Sequence, residues 1–350
     1  MRNIPEAGRW LLFLLLFCML TQPLFFEIYR GAAFNIVPHD DYVTYVLKLL
    51  GEEGGRIPGS PFRYRLLAVG LAVPLFHVLP LYRFSNLDDS LSDTYLKALE
   101  AFSMVSYLAV VGTAVIMFLL CRRQYRATVS VSIAATFLSV LLFQHAALYG
   151  VDQITIFTIA LLVYFLPRPW IFAMLMLLAV GVNEKIIIIF AGYFGARVLF
   201  RLQGVDLRAV ATGVALCLYL AIVTLFPAPG NEHQLQVSTY FASFVENLAM
   251  TLSVKGMLLN VLPTLLVVVL YLLAVQEYRQ RPSSEGFHPV DAAPLVGLVG
   301  MAMAVNVEYN IGRLAVHCFP FYLPMAMQQI AALVEGRLGS GGPGQNTGQG

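Results

Sequence analysis

Two adjacent carboxylates, Asp40 and Asp41, stand in the stretch Pro38-His39-Asp40-Asp41-Tyr42, just past the first apolar run. Close to a membrane surface such a pair is costly to leave unpaired, because the local dielectric is low. It can take a proton from a hydroxyl as general base, or hold a divalent metal against a phosphate. The same position also suits the N-cap of a helix over 42–50. Neighbouring side chains point about 100° apart at a helix start. One carboxylate is therefore expected to reach a substrate and the other to cap, with Asp40 as the base and Asp41 as the cap.

Further along, Arg63 and Arg65 flank Tyr64 at the entry to a proline-bearing apolar stretch. A guanidinium fork matches phosphate oxygens and tolerates partial burial, and the same residues also suit an interfacial anchor. Asp152-Gln153 and Glu184-Lys185 each open an apolar run. The acids suit a helix start, whereas a lysine there is unfavourable unless it pairs with Glu184 or faces an anion. Glu308 and Arg313 flank a late turn, either as an ion pair or with the arginine held for a phosphate. The six histidines show no metal-ligand spacing, and there is no P-loop, GxSxG or dinucleotide fingerprint. Cys18, Cys121, Cys217 and Cys318 lie far apart in apolar runs and read as small buried hydrophobes.

These groups sit in a chain of 350 residues that is 59% apolar and only 12% charged. A soluble domain carries about 25% charged residues, and the mean hydropathy here is +0.74. Lipid contact demands such a composition, since the hydrocarbon core satisfies neither ions nor free backbone. A net charge of +2 gives no reason to expect nucleic acid as a partner. The first run, Trp10 to Phe26, follows Arg2 and Arg9 without a clean cleavage site and reads as an uncleaved first span.

A spanning helix needs about 20 apolar residues. The spans expected are 10–28, 100–121, 127–147, 153–167, 169–183, 186–203, 208–227, 256–276, 292–308 and 314–334. The pair over 153–183 is short and shares a turn at Pro167-Arg168-Pro169. If 64–82 lies at the interface without crossing, Arg122, Arg123, Arg126, Arg168, Arg201, Arg208, Arg279, Arg281 and Arg337 all fall on the inner side. That arrangement obeys the positive-inside rule. The expected fold is thus all-α: one polytopic bundle over 1–337 with about ten spans and both termini inside. A first outer loop over 29–99 holds an amphipathic helix, and 338–350 form a flexible Gly-rich tail. Nearly all the unusual polar residues then fall on the outer side.

In this order the stretches "PHDDYVTYVLKLL", "GRIPGSPFRYRLLAVGLAVPL", "GVDQITIFTIALL", "NEKIIIIF" and "EYNIGRLAVHCFPFYLP" resemble the GT-C class of integral membrane glycosyltransferases, nearest to its polyprenyl- or dolichyl-phosphate-mannose-using members. The chain departs from many of them in having adjacent aspartates instead of DxD and no soluble C-terminal domain. The resemblance implies a polyprenyl-phosphate sugar donor reached laterally from membrane lipids, and a glycan or lipid acceptor. Asp40 or Asp41 would be catalytic, and Arg63, Arg65, Asp152, Gln153, Glu184, Lys185, Glu308 and Arg313 would bind substrate. It also implies a possible Mg or Mn ion and an extracytoplasmic site, in a bacterial inner membrane. A transporter or flippase, and a polysaccharide polymerase, are the alternatives. Clustering of ionisable residues at outer helix ends, without an internal repeat, speaks against transport.

Overall fold

The computed structural model describes residues 15, 17–19, 21–25, 27–28, 36–59, 62–80, 91–146, 150–226, 237–280, 288–304 and 311–335, with the side chains of 36–40, 62, 144–146 and 237–240 excepted. Glu308, the side chain of Asp40, Asp88 and Asp89, and the tail 338–350 lie outside the described residues. Among the described residues every element is helical.

Helix α1 (Ile36–Leu50) starts ahead of the acidic pair. The expectation of Asp41 as N-cap is corrected accordingly: it lies inside the helix. Pro38 explains the early start, because proline is tolerated in a first turn whose N–H groups lack helical acceptors. Tyr42, Val43, Tyr45, Val46 and Leu47 form the buried face of α1. The expected amphipathic segment becomes two short helices, α2 (Leu66–Gly70) and α3 (Ala72–Val78).

The central helix is α4 (Asp93–Leu119), capped by Ser92, whose side chain accepts from the Tyr95 amide at 3.2 Å, and extended through a wider π turn to Gln124. Against it pack α5 (Val129–Ala146) and α6 (Asp152–Tyr164). Pro169 occupies the first turn of α7 (Pro169–Ala179), so the expected proline turn links two short helices. Next come α8 (Glu184–Leu199) and α9 (Leu207–Leu225), capped by Asn183 and Asp206. After α10 (Val237–Thr251) and the single turn α11 (Val254–Gly256), a π turn at Met257–Val261 leads into α12 (Leu262–Gln280). A turn at Pro289–Ala292 opens α13 (Ala293–Ala304). The expected last span is broken at His317-Cys318 into α14 (Ile311–Val316) and α15 (Phe319–Val334), and α15 lies along α12.

Three helical stretches are long and apolar enough to cross a bilayer: Asp93–Gln124, Leu207–Leu225 and Val254–Gln280. The first is 72% buried in its apolar window and forms the bundle's centre, while the other two are 17% and 22% buried. An apolar helix that faces outward on most sides suits lipid, not water. Six more apolar helices have 10–17 residues, shorter than the expected spans. At 1.5 Å per residue, the 13 residues of α6 reach about 20 Å. An aromatic core joins α7, α8 and α15: Phe190 meets Phe172 at 5.3 Å and Phe321 at 5.4 Å between ring centroids.

Candidate active site

Chain direction places two polar layers at opposite ends of this bundle. The starts of α6, α8 and α15 meet at one end. At the other, the end of α4 meets the end of α6, where Arg123 Nη1 donates to Tyr164 Oη at 3.1 Å and Gln124 to the Tyr164 carbonyl at 2.6 Å.

The first layer is built around Asp152 and Glu184, each in the first turn of its helix, where the helix dipole favours an anion. Asn183 caps α8 by accepting from the Lys185 amide at 3.1 Å, and donates at 2.9 Å to Thr155 Oγ1 on α6. That bond fixes the starts of α6 and α8 relative to each other. Asp152 Oδ1 accepts from Lys185 Nζ at 2.8 Å and lies 3.1 Å from His317 Nε2. Its Oδ2 is 2.9 Å from Arg313 Nε, in an ion pair whose angle makes no hydrogen bond. Arg65 grips Glu184 with two bonds, Nε to Oε2 at 3.2 Å and Nη2 to Oε1 at 2.5 Å, and donates from Nη1 to Tyr42 Oη at 2.6 Å. This bidentate fork is the strong form of an arginine–carboxylate pair.

Arg65 reaches Glu184 because α2 docks on the turn before Asn183. The Leu67 and Ala68 amides donate to the Gly181 carbonyl at 2.8 and 3.3 Å. A Cβ on Gly181 would stand 3.0 Å from Leu67 Cβ, so only glycine allows the approach without displacement. Tyr42 stacks on Phe102 of α4 at 5.5 Å, which ties α1 to the same layer.

Three cations, Arg65, Lys185 and Arg313, thus face two carboxylates in one buried layer. Burial works against ionisation of Asp152, but Lys185, Arg313 and His317 outweigh it and hold the carboxyl well below its ordinary value. Glu184 is likewise held low against burial, by Arg65 first. Burial draws Lys185 below its ordinary value; Asp152 opposes this, and Arg65 and Arg313 add to it. Burial also pushes the Tyr42 hydroxyl up to about 12, so it stays a neutral phenol. The side chain of Arg313 is 33% exposed, against 12% for Lys185 and 6% for Arg65. Of the three cations, Arg313 has the most exposed side chain, although its Nε is buried against Asp152.

Five of the residues singled out in the sequence meet here: Arg65, Asp152, Glu184, Lys185 and Arg313. Lys185 pairs with Asp152, because Glu184 is taken by Arg65. Gln153 is fully buried beside Asp152. Asp41, at 30% side-chain exposure, lies 3.4 Å from Arg56 and one residue before Tyr42. Arg63 lies beside Tyr45, whose hydroxyl donates to the Arg63 carbonyl at 3.1 Å. Sequence reasoning missed Tyr42, Thr155 and His317. The signal for His317 was its place four residues after Arg313, which puts both on one helical face. Its Nδ1 lies 3.1 Å from the Arg313 carbonyl and 3.2 Å from that of Leu314, so both ring nitrogens face oxygen acceptors.

Among the described residues no group of three or more histidine, cysteine, aspartate or glutamate side chains could hold a metal ion. Three cations around two carboxylates give the layer the chemistry to meet an anion. The chain matches no described protein family, no curated protein and no solved structure.

Proposed function

We propose that the chain is an integral membrane glycosyltransferase of the GT-C kind, transferring a sugar from a polyprenyl-phosphate donor to a hydroxyl of a glycan or lipid acceptor. The observation that carries this reading is the buried layer of Arg65, Lys185 and Arg313 around two carboxylates, with Arg313 the most exposed of the three cations. A phosphodiester carries one negative charge, and three cations against two carboxylates leave one positive charge to meet it. The proposed arrangement is the ten-span one, with termini in the cytoplasm and the layer at the extracytoplasmic surface of a bacterial inner membrane.

In the reaction the acceptor oxygen attacks the anomeric carbon and forms the new glycosidic bond. The bond from that carbon to the phosphate oxygen breaks, and its electron pair leaves with the polyprenyl phosphate. Asp40 or Asp41 takes the hydroxyl proton. Negative charge grows on the departing phosphate, where Arg313 and Lys185 stabilise it. Attack opposite the leaving group inverts the anomeric configuration. Arg65 and Glu184 hold α2 against α8 and keep Lys185 directed at Asp152. A divalent ion, if one takes part, would sit on the acidic pair and the phosphate.

The test is sugar transfer from a polyprenyl-phosphate donor by the purified protein in lipid. Replacing Arg313 with Gln should lower turnover about 10²–10³-fold, as loss of one charge-stabilising donor does. Folded yield should stay intact. Full turnover in this variant would overturn the reading.

A second reading, a proton-coupled carrier, is favoured by the complete burial of His317 against Asp152. Proton uptake driven by a substrate gradient in proteoliposomes, without sugar transfer, would select it.

A further inference from the structure

At the end of the bundle opposite the Asp152 layer, a cavity of about 530 Å³ opens between the end of α6, the start of α7, the end of α8 and the start of α9. Its walls mix apolar groups, among them Pro167, Phe194 and Leu202, with the donors of Arg197, Gln203 and Arg208. We infer that this cavity binds the phosphate of an anionic phospholipid, with the acyl chains leaving over its apolar rim.

Charge is the first argument. Arg168, Arg197, Arg201 and Arg208 stand in and around the cavity against two carboxylates, Asp206 and Asp291. Arg197 forks onto Asp291, with Nε and Nη2 each 3.1 Å from a carboxylate oxygen. Arg208 pairs with Asp206 and donates to the Leu166 carbonyl at 2.8 Å. Two cations remain. Among the described residues the exposed side chain of Arg201 makes no ion pair or hydrogen bond, and the side chain of Arg168 meets only the ring of Phe165, at 5.8 Å. Four cations less two carboxylates leave a charge of +2 on this rim.

The second argument is an orphaned donor. Gln203 Oε1 lies 3.5 Å from Arg197 Nη1, while its Nε2 is buried with no acceptor. A buried N–H without a partner is costly, so its presence beside a cavity calls for a ligand rich in acceptors. Phosphate oxygens only accept, and they suit both amide and guanidinium donors.

The third argument separates a lipid from free phosphate. Leu199, Phe200, Leu202 and Val205, in the turn that runs past the cavity, are 76%, 62%, 41% and 70% exposed. Inorganic phosphate would use the donors and leave this apolar surface in water. A phospholipid uses both, and basic pockets between membrane helices are suited to anionic headgroups.

The experiment is native mass spectrometry of the full chain, released from detergent micelles doped with dioleoyl-phosphatidylglycerol or dioleoyl-phosphatidylcholine. The wild-type chain should retain one phosphatidylglycerol and no phosphatidylcholine, and millimolar inorganic phosphate should not displace it. Gln203→Leu removes the orphaned donor at nearly constant volume and should lower occupancy about tenfold. Arg201→Gln, at an exposed position that leaves the fold undisturbed, should also lower it. Equal retention of the two lipids, or unchanged occupancy in both variants, would overturn the inference. Displacement by inorganic phosphate would assign the site to the free anion and overturn the lipid as its source.

Discussion

Replacing Asp152 with Asn would leave Lys185 and Arg313 facing each other in a buried layer without their shared anion. Breaking a buried ion pair from one side costs about 3–5 kcal/mol. The variant should therefore lose most of its folded yield and unfold at a visibly lower temperature in detergent, as tryptophan fluorescence would record. Glu184→Gln removes one of the two charges of the Arg65 fork and should act in the same direction. The pH response follows from the same carboxyls. Both are held below their ordinary values in the folded chain. Their contribution is complete above about pH 5, where the unfolded carboxyls are ionised. It is lost progressively as pH falls from the unfolded values toward the lower folded ones. Thermal unfolding should be flat with respect to these groups from neutral pH to about pH 5 and should drop steeply below pH 4. A steady decline that began near pH 6 would point to other groups as the source of the stability.

Helix α14 shows how an element sets the reach of a side chain. A Cβ on Gly312 would lie 2.7 Å from the carbonyl oxygens of Leu259 and Asn260, so α14 presses directly on the π turn of the neighbouring helix. Backbone cannot yield as a side chain can. Gly312→Ala should push α14 away at a cost of about 1–3 kcal/mol and carry Arg313 off Asp152. A thermal-shift comparison with Ala substituted at Gly300, where a Cβ meets open space, isolates the effect. At this scale much was legible from residue patterns. The proline turn between α6 and α7, the starts of α6 and α8, and the outer limits of α9 follow from proline, capping residues and long apolar runs. The start of α1 was misread because Asp40 and Asp41 look like caps, whereas Pro38 lets the helix begin earlier. His317 stayed hidden because a single histidine in an apolar run carries no spacing of its own. Only the break between α14 and α15 brings it to Asp152. Likewise, nothing local to Arg65 announces Glu184 as its partner, since that contact depends on α2 docking at Gly181.

At the scale of the molecule, α4 and its π turn run unbroken from Asp93 to Gln124, 32 residues or about 48 Å. Its two ends must lie on opposite sides of any bilayer it crosses. Single cysteines placed at Ser92 and Gln124, in a background with Cys18, Cys121, Cys217 and Cys318 replaced by Ser, should react with an impermeant maleimide in opposite senses. Ser92 should be labelled in intact cells and Gln124 only after permeabilisation. The reverse pattern would put the Asp152 layer in the cytoplasm and exclude an extracytoplasmic transferase.

The shortness of α6 and α7 has its own consequence. At 13 and 11 residues they reach about 20 and 17 Å, well under the roughly 30 Å of a typical hydrocarbon core. Helix α6 is enclosed by its neighbours, but α7 turns Trp170, Met174 and Leu178 outward, so the lipids beside α7 must pinch inward, or the chain must oligomerise to hide the mismatch. Pinching would draw the headgroup plane down toward Asp152 and Arg313, so that a phosphate arriving by lateral diffusion meets them without leaving its own leaflet. Turnover should then rise as the host acyl chains shorten from eighteen carbons toward fourteen, and a series of single-lipid nanodiscs would display that slope. Thickness-independent turnover would mean that other protein surface, not the bilayer, covers the outward face of α7.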